Sequence, residues 1–190
     1  MKDILFEKVS KSFGDKVIFD QFDEQFPHGQ VTMIMAPSGR GKTTLLSLIL
    51  GLEKVDNGRI LGIPDNISVA FQEDALCPQL SVLDNIRLAL PQVEKAKIID
   101  ALCAVGLQGE QNTKAADLSG GMGRRVSVVR AMLHDAPLIL LDEPFRGLDD
   151  KAKRELGAFI SSHRGGRTLL FISHDAADYT LLGASKMVNL

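Results

Sequence analysis

Along the chain, short and almost uniformly apolar runs alternate with stretches in which apolar residues return every three or four positions. The runs predict strands over residues 4–9, 17–19, 31–35, 67–71, 138–141, 168–172 and 187–190. Several of these lack a polar face, as expected of central strands buried on both sides. Strands separated by helical patterns predict an α/β fold with a mostly parallel sheet covered by helices. The texture changes after residue 71. Residues 82–90 and 94–105 read as amphipathic helices, the second with Ile98, Ile99, Leu102 and Val105 on one stripe, Pro91 between the two and Gly106 just past the end. Residues 73–134 therefore read as a helical insertion between an α/β core of 1–72 and 135–190, within one domain spanning 1–190.

Composition narrows the class. The 190 residues are about one domain's worth of chain. With 45% hydrophobic and 24% charged residues and a net charge of −2, the chain is neither disordered, collagen-like nor polybasic, and no nucleic-acid partner is expected. No apolar run approaches the ~20 residues needed to span a bilayer. The opening Met1-Lys2-Asp3-Ile4 places an acid where an export signal would continue cationic and then turn apolar. Cys77 and Cys103 belong to no CxxC pair and are expected to be reduced, buried thiols.

Chemistry concentrates at three strand ends. The strand 31–35 runs into Ala36-Pro37-Ser38-Gly39-Arg40-Gly41-Lys42-Thr43-Thr44 and then a helical pattern over 45–50, closed by Gly51. Strand, glycine loop and helix form the context of a phosphate cradle. Gly39 and Gly41 let backbone N–H groups turn toward phosphate oxygens, and the helix N-terminus adds its dipole. Lys42 supplies a charge for the β and γ phosphates, the Thr43 hydroxyl can ligate a bridging Mg²⁺, and Thr44 reaches for the α phosphate. Ala36 stands where the pattern has glycine. By itself the loop indicates a nucleoside triphosphate and leaves kinases and GTPases open.

The buried run 138–141 ends in Asp142-Glu143-Pro144, placing two carboxylates where ligands bind in open α/β sheets. Asp142 suits a Mg²⁺ contact and Glu143 the base that polarises an attacking water. The strand 168–172 ends in Ser173-His174-Asp175, and His174 at a neighbouring strand end can reach a γ phosphate. His28, His134 and His163 have no such setting.

Between these sites lies Leu118-Ser119-Gly120-Gly121-Met122, opening an arginine-bearing helical run, Arg124 to Met132. Ser119 is a good N-cap, and Gly120 and Gly121 expose backbone N–H groups at a helix N-terminus, a second phosphate-binding end. The sequence resembles the ATP-binding cassette (ABC) ATPases over essentially its whole length, with Phe13 at the place of the adenine-stacking aromatic. The 36–44 loop, Gln72, the Ser119 signature, Asp142-Glu143, Gly147-Leu148-Asp149 and His174 then follow in that family's order. The resemblance implies a P-loop NTPase fold with N-terminal antiparallel strands beside the parallel sheet and a helical subdomain. It also implies ATP with Mg²⁺, and a head-to-tail homodimer, or a pseudo-dimer with a related ATPase. Each ATP would lie between one subunit's loop and the other's Ser119, Gly120 and Gly121. Gln72 would touch Mg²⁺ and the attacking water, and Asp149 the partner subunit. Met122 replaces the family's usual glutamine and Gly123 follows it, departures that bear on hydrolysis more than on ATP binding.

The segment 71–86 and the run 142–149 look most like those of nitrate, sulfonate and taurine-type importer ATPases. The expected role is an ATPase subunit bound to a separate integral membrane permease at the cytoplasmic face of the cell membrane. A non-transport or envelope-remodelling ABC ATPase is the alternative, with a P-loop kinase or GTPase behind it. The end at Leu190 reads as that of a minimal ATP engine without a regulatory C-terminal domain.

Overall fold

Residues 2–35 and 41–190 are described by the computed structural model. Their backbone hydrogen bonds form two sheets. In chain order the elements are β1 (Ile4–Phe13), β2 (Lys16–Phe26), β3 (Val31–Met35), α1 (Lys42–Ile49), β4 (Asn57–Leu61), β5 (Ile67–Ala70), α2 (Val82–Ala89) and α3 (Lys95–Ala104). They continue with α4 (Gly120–Leu133), β6 (Leu138–Asp142), α5 (Asp150–His163), β7 (Thr168–Ile172), α6 (Ala177–Leu181) and β8 (Lys186–Asn189). Strands β2, β1 and β4 make an antiparallel sheet in that order. Strands β5, β6, β7, β3 and β8 make a parallel one.

Period-two alternation along the parallel strands feeds two cores. Ile34, Leu138, Leu140, Leu170, Ile172 and Val188 pack with α1 and with Ile4, Phe6, Val9, Phe19 and Phe26 of the antiparallel sheet. Met33, Ile139, Leu141, Leu169 and Phe171 face Ile86, Ile98, Leu102, Val126, Val129, Leu156 and Ile160 of α2, α3, α4 and α5. Covered on both faces, the sheet tolerates the uniformly apolar runs seen in the sequence.

Between β5 and β6 every element is a helix or a 3₁₀ turn. On α3, Ile98 and Leu102 are buried, as is Val105 at its C-cap, while Ile99 lies at the margin of the stripe. Cys103 falls one step round α3 from the buried Ala101 and Leu102, and its thiol is exposed rather than buried. Cys77, in the loop before α2, is exposed as well, although its backbone N–H and carbonyl are both held by the Asn85 side chain. Both departures have one cause: a small side chain on an outward face buries little apolar area.

Strand limits shift for local reasons. β1 and β2 run on to Phe13 and from Lys16 to Phe26, well past 4–9 and 17–19, because their pairing continues through polar residues, most of them at the surface and Lys11 buried against Glu53 and Asp56. Lys8 and Gln21 take left-handed backbone (φ 48° and 47°) at register shifts in this pair. Their N–H groups go to the Asp23 carboxylate and the Ser10 hydroxyl instead of the ladder. β5 stops at Ala70, since the Phe71 carbonyl accepts a 2.5 Å hydrogen bond from Arg124. β8 covers 186–189, one residue earlier than expected. β4, α5 and α6 are additions to the elements read from sequence. Among the described residues no helix is long and apolar enough to cross a membrane.

Candidate nucleotide site

Three adjacent strands of the parallel sheet, β6, β7 and β3, end on the same edge. At the β3 end the expected phosphate contacts Ala36, Pro37, Ser38, Gly39 and Arg40 lie outside the described residues. Gly41 is the N-cap of α1 with φ 93°, and a Cβ there would come within 2.9 Å of Ile18 Cγ2, so only glycine fits. Lys42 opens α1, with Thr43 exposed and Thr44 half-buried behind it.

From the β6 end Glu143 turns back over the sheet edge. Its backbone is left-handed (φ 52°), a conformation that costs a non-glycine residue about 1–2 kcal/mol and that collects at functional sites. Its N–H donates to the Ile172 carbonyl at 3.0 Å, which fixes the turn against β7. The carboxylate is buried and gripped on both sides. Lys42 Nζ lies 3.5 Å from Oε1, and His174 Nδ1 lies 2.9 Å from Oε2. The imidazole itself is 71% exposed. Three of the residues singled out from sequence thus meet at one carboxylate.

Asp142 is buried beside this group at the last position of β6. Burial pushes its carboxyl above the ordinary range and the neighbouring Glu143 charge adds to this. Lys42, Arg124 and a backbone hydrogen bond from Gln72 offset only part. A buried carboxylate whose charge its neighbours only partly offset is a hard oxygen donor of the kind that suits Mg²⁺. Among the described residues no three or more His, Cys, Asp and Glu side chains cluster into a metal cage. A Mg²⁺ held mainly by phosphate oxygens and water needs none.

The other candidates gather elsewhere. Ser119 caps α4, its hydroxyl accepting the Met122 N–H at 3.3 Å. With Gly120, Gly121, Gln72, Asp149 and Arg146 it lines a cleft of about 620 Å³. Asp149 is the N-cap of α5, accepting the Ala152 N–H at 2.8 Å. A Cβ on Gly121 would crowd Leu148 and the Gly147 carbonyl at 3.1 and 3.2 Å, so the α4 N-terminus and the 147–149 turn are fitted to each other. Gln72 belongs to both regions. Its backbone bonds Asp142 on one side, and on the other its carbonyl accepts from Arg124 of α4. Phe13, 46% exposed at the tip of β1, lies under Lys11 Nζ at 4.9 Å and does not line this cleft.

Two further groups went unread in the sequence. Lys153 on α5 makes 2.6 Å ion pairs with Asp175 and the buried Asp178, the residues that flank the turn after His174. Ser173 donates to Asp178 at 2.6 Å and fastens the same turn from within. The lysine carried no strand-end or loop signal. Its position one turn into α5 after the Asp149 cap was the available clue.

A family model described as ABC transporter matches residues 19–146. An aliphatic sulfonates import ATP-binding protein of Rhodococcus jostii (strain RHA1) is 36% identical over 94% of this chain and 75% of its own length. One from Escherichia coli O1:K1 / APEC is 36% identical over 92% and 72%. The fold superposes on a dimeric bacterial ABC transporter cassette with a TM-score of 0.85 and 25% identity, covering 98% of this chain and 94% of that one. A bacterial Atm1-family ABC exporter with ATP bound matches with a TM-score of 0.88 and 20% identity over 100% of this chain and 37% of that one. The chain belongs to the ABC transporter family, as one of its ATP-hydrolysing cassettes.

Proposed function

We propose that residues 1–190 form one ATPase domain, with core 1–72 and 135–190 and helical part 73–134, that powers import through a separate integral membrane permease. The observation that carries the reading is Glu143, held in a strained turn with Lys42 on one carboxylate oxygen and His174 on the other. The 36–44 loop, Lys42 and the α1 N-terminus bind the phosphates of ATP, and Phe13 offers an exposed ring to the base. Thr43, Asp142 and Gln72 would hold Mg²⁺, which when bound neutralises charge on the transferring phosphoryl group. Glu143 orients and deprotonates the attacking water, and His174 swings from Glu143 to the γ phosphate.

Ser119, Gly120, Gly121 and Asp149 face a separate cleft in the same chain. In a head-to-tail homodimer, or a pseudo-dimer with a related cassette, that cleft would close over the partner's ATP. The names of the sulfonate-import relatives support import, a permease partner and a peripheral place on the cytoplasmic face of the cell membrane. Glu143→Gln is expected to keep ATP affinity, to lower turnover at least a hundred-fold, roughly the worth of a positioned base, and to trap an ATP-bound dimer on size exclusion. Turnover near wild type in that variant would remove Glu143 from the role of base.

A further inference from the structure

The loop 72–77 that leaves β5 is gripped from α4 by two arginines. Arg130 donates to the Asp74 and Ala75 carbonyls at 3.1 and 3.0 Å, where Ala75 is left-handed (φ 47°). Arg124, only 5% exposed, does more. Its two terminal nitrogens donate to the consecutive carbonyls of Phe71 and Gln72, and the second also lies 3.2 Å from the Asp74 carboxylate. A planar guanidinium spans two adjacent carbonyls and a carboxylate; an ammonium is a single point and cannot. The glycine next to it makes the room, because a Cβ on Gly123 would approach Asp74 Oδ2 to 2.8 Å. The Gln72 peptide is thereby held at both ends, its carbonyl by Arg124 and its own backbone hydrogen bond by Asp142.

We propose that Arg124, with Asp74 seated on Gly123, is the positioning residue that sets the direction of the Gln72 side chain from the signature helix α4. Movement of α4 then reaches the hydrolytic site through one guanidinium. The inference rests on the reading of Gln72 as a contact to Mg²⁺ and the attacking water. It adds that the departure at Gly123 is matched to this chain's own Asp74 and Arg124. Arg124 borders the Ser119 cleft, yet both its terminal nitrogens are engaged by the 71–74 segment, so its loss should slow turnover more than it weakens ATP binding.

The test is a double-mutant cycle on the full chain with Mg-ATP, following kcat and the KM for ATP and checking each variant's melting curve. Arg124→Lys is expected to lower kcat roughly ten-fold with KM changed less than about two-fold. In a Gln72→Ala background the same change should cost less than about two-fold in kcat, because no side chain is left to position. Gly123→Ala keeps the guanidinium and displaces only the carboxylate. It should lower kcat in the same KM-neutral way, and it carries the test if Arg124→Lys does not fold. An equal loss in both backgrounds, a KM that rises with the fall in kcat, or wild-type kcat in both variants would overturn the proposal. Turnover that survives Glu143→Gln would count against the proposed function first and remove this inference with it.

Discussion

Asp142 shows what the proposed chemistry would cost at a single residue. Its carboxyl is held above the ordinary range by burial first and by Glu143 second. A carboxyl with a raised folded-state pKa stabilises the fold below its unfolded pKa and loses that contribution as pH rises through the folded value. Once ionised, Asp142 therefore works against folding. Asp142→Asn is expected to raise the nucleotide-free melting temperature by about 3 °C, from about 1 kcal/mol of relieved charge, while Mg²⁺-dependent turnover is lost. Thermal melts with and without Mg-ATP check both halves, and a lower melting temperature in the variant would contradict the assignment. Residues of this kind were legible because they stand at the ends of buried, largely apolar strands: Asp142 and Glu143 after four aliphatics, His174 two residues past the end of the strand 168–172. Arg124 did not, since its role depends on carbonyls some fifty positions away. The two cysteines misled because a residue type says little about which face of a helix or loop it occupies.

At the scale of elements, α5 is the piece the sequence concealed. Its apolar stripe is sparse, with Gly157 beside Leu156 and only Phe159 and Ile160 to follow, so the 3.6-residue period is faint. Yet α5 carries the Asp149 cap at one end and, one turn in, the lysine that fastens the His174 turn. Lys153→Met leaves Asp178, 2% exposed, without its cation. The loss expected is about 2 kcal/mol in a urea melt, and a second change, Asp178→Asn, should recover most of it. A double variant no more stable than the single one would mean that the pair is not the fastening. β2 and β4 were under-read for a different reason. On an outer antiparallel sheet one face is wet, and polar residues such as those in Asp20-Gln21 or Asn57-Gly58 resemble turn signals. The all-parallel inner sheet, dry on both faces, was legible almost to the residue.

For the whole molecule, the two candidate phosphate ends lie apart in one chain, Lys42 with Glu143 in one place and the α4 N-terminus with Asp149 in another. Ser119→Arg fills the second end with a bulky cation and leaves the first untouched. ATP binding by the isolated chain should stay within about two-fold of wild type, while the ATP-dependent dimer disappears from light scattering. A dimer that still forms would reassign the cleft. Turnover should also rise more steeply than linearly with protein concentration when dimerisation limits it.

The contact between Lys42 and Glu143 has a kinetic meaning of its own. In the proposed reading, the lysine that would hold the phosphates lies against the carboxylate that would act as base. Arriving phosphates would then compete with that carboxylate for the cation, and the same exchange that loads the site would free the base. Loading and arming the site would in this way be a single event.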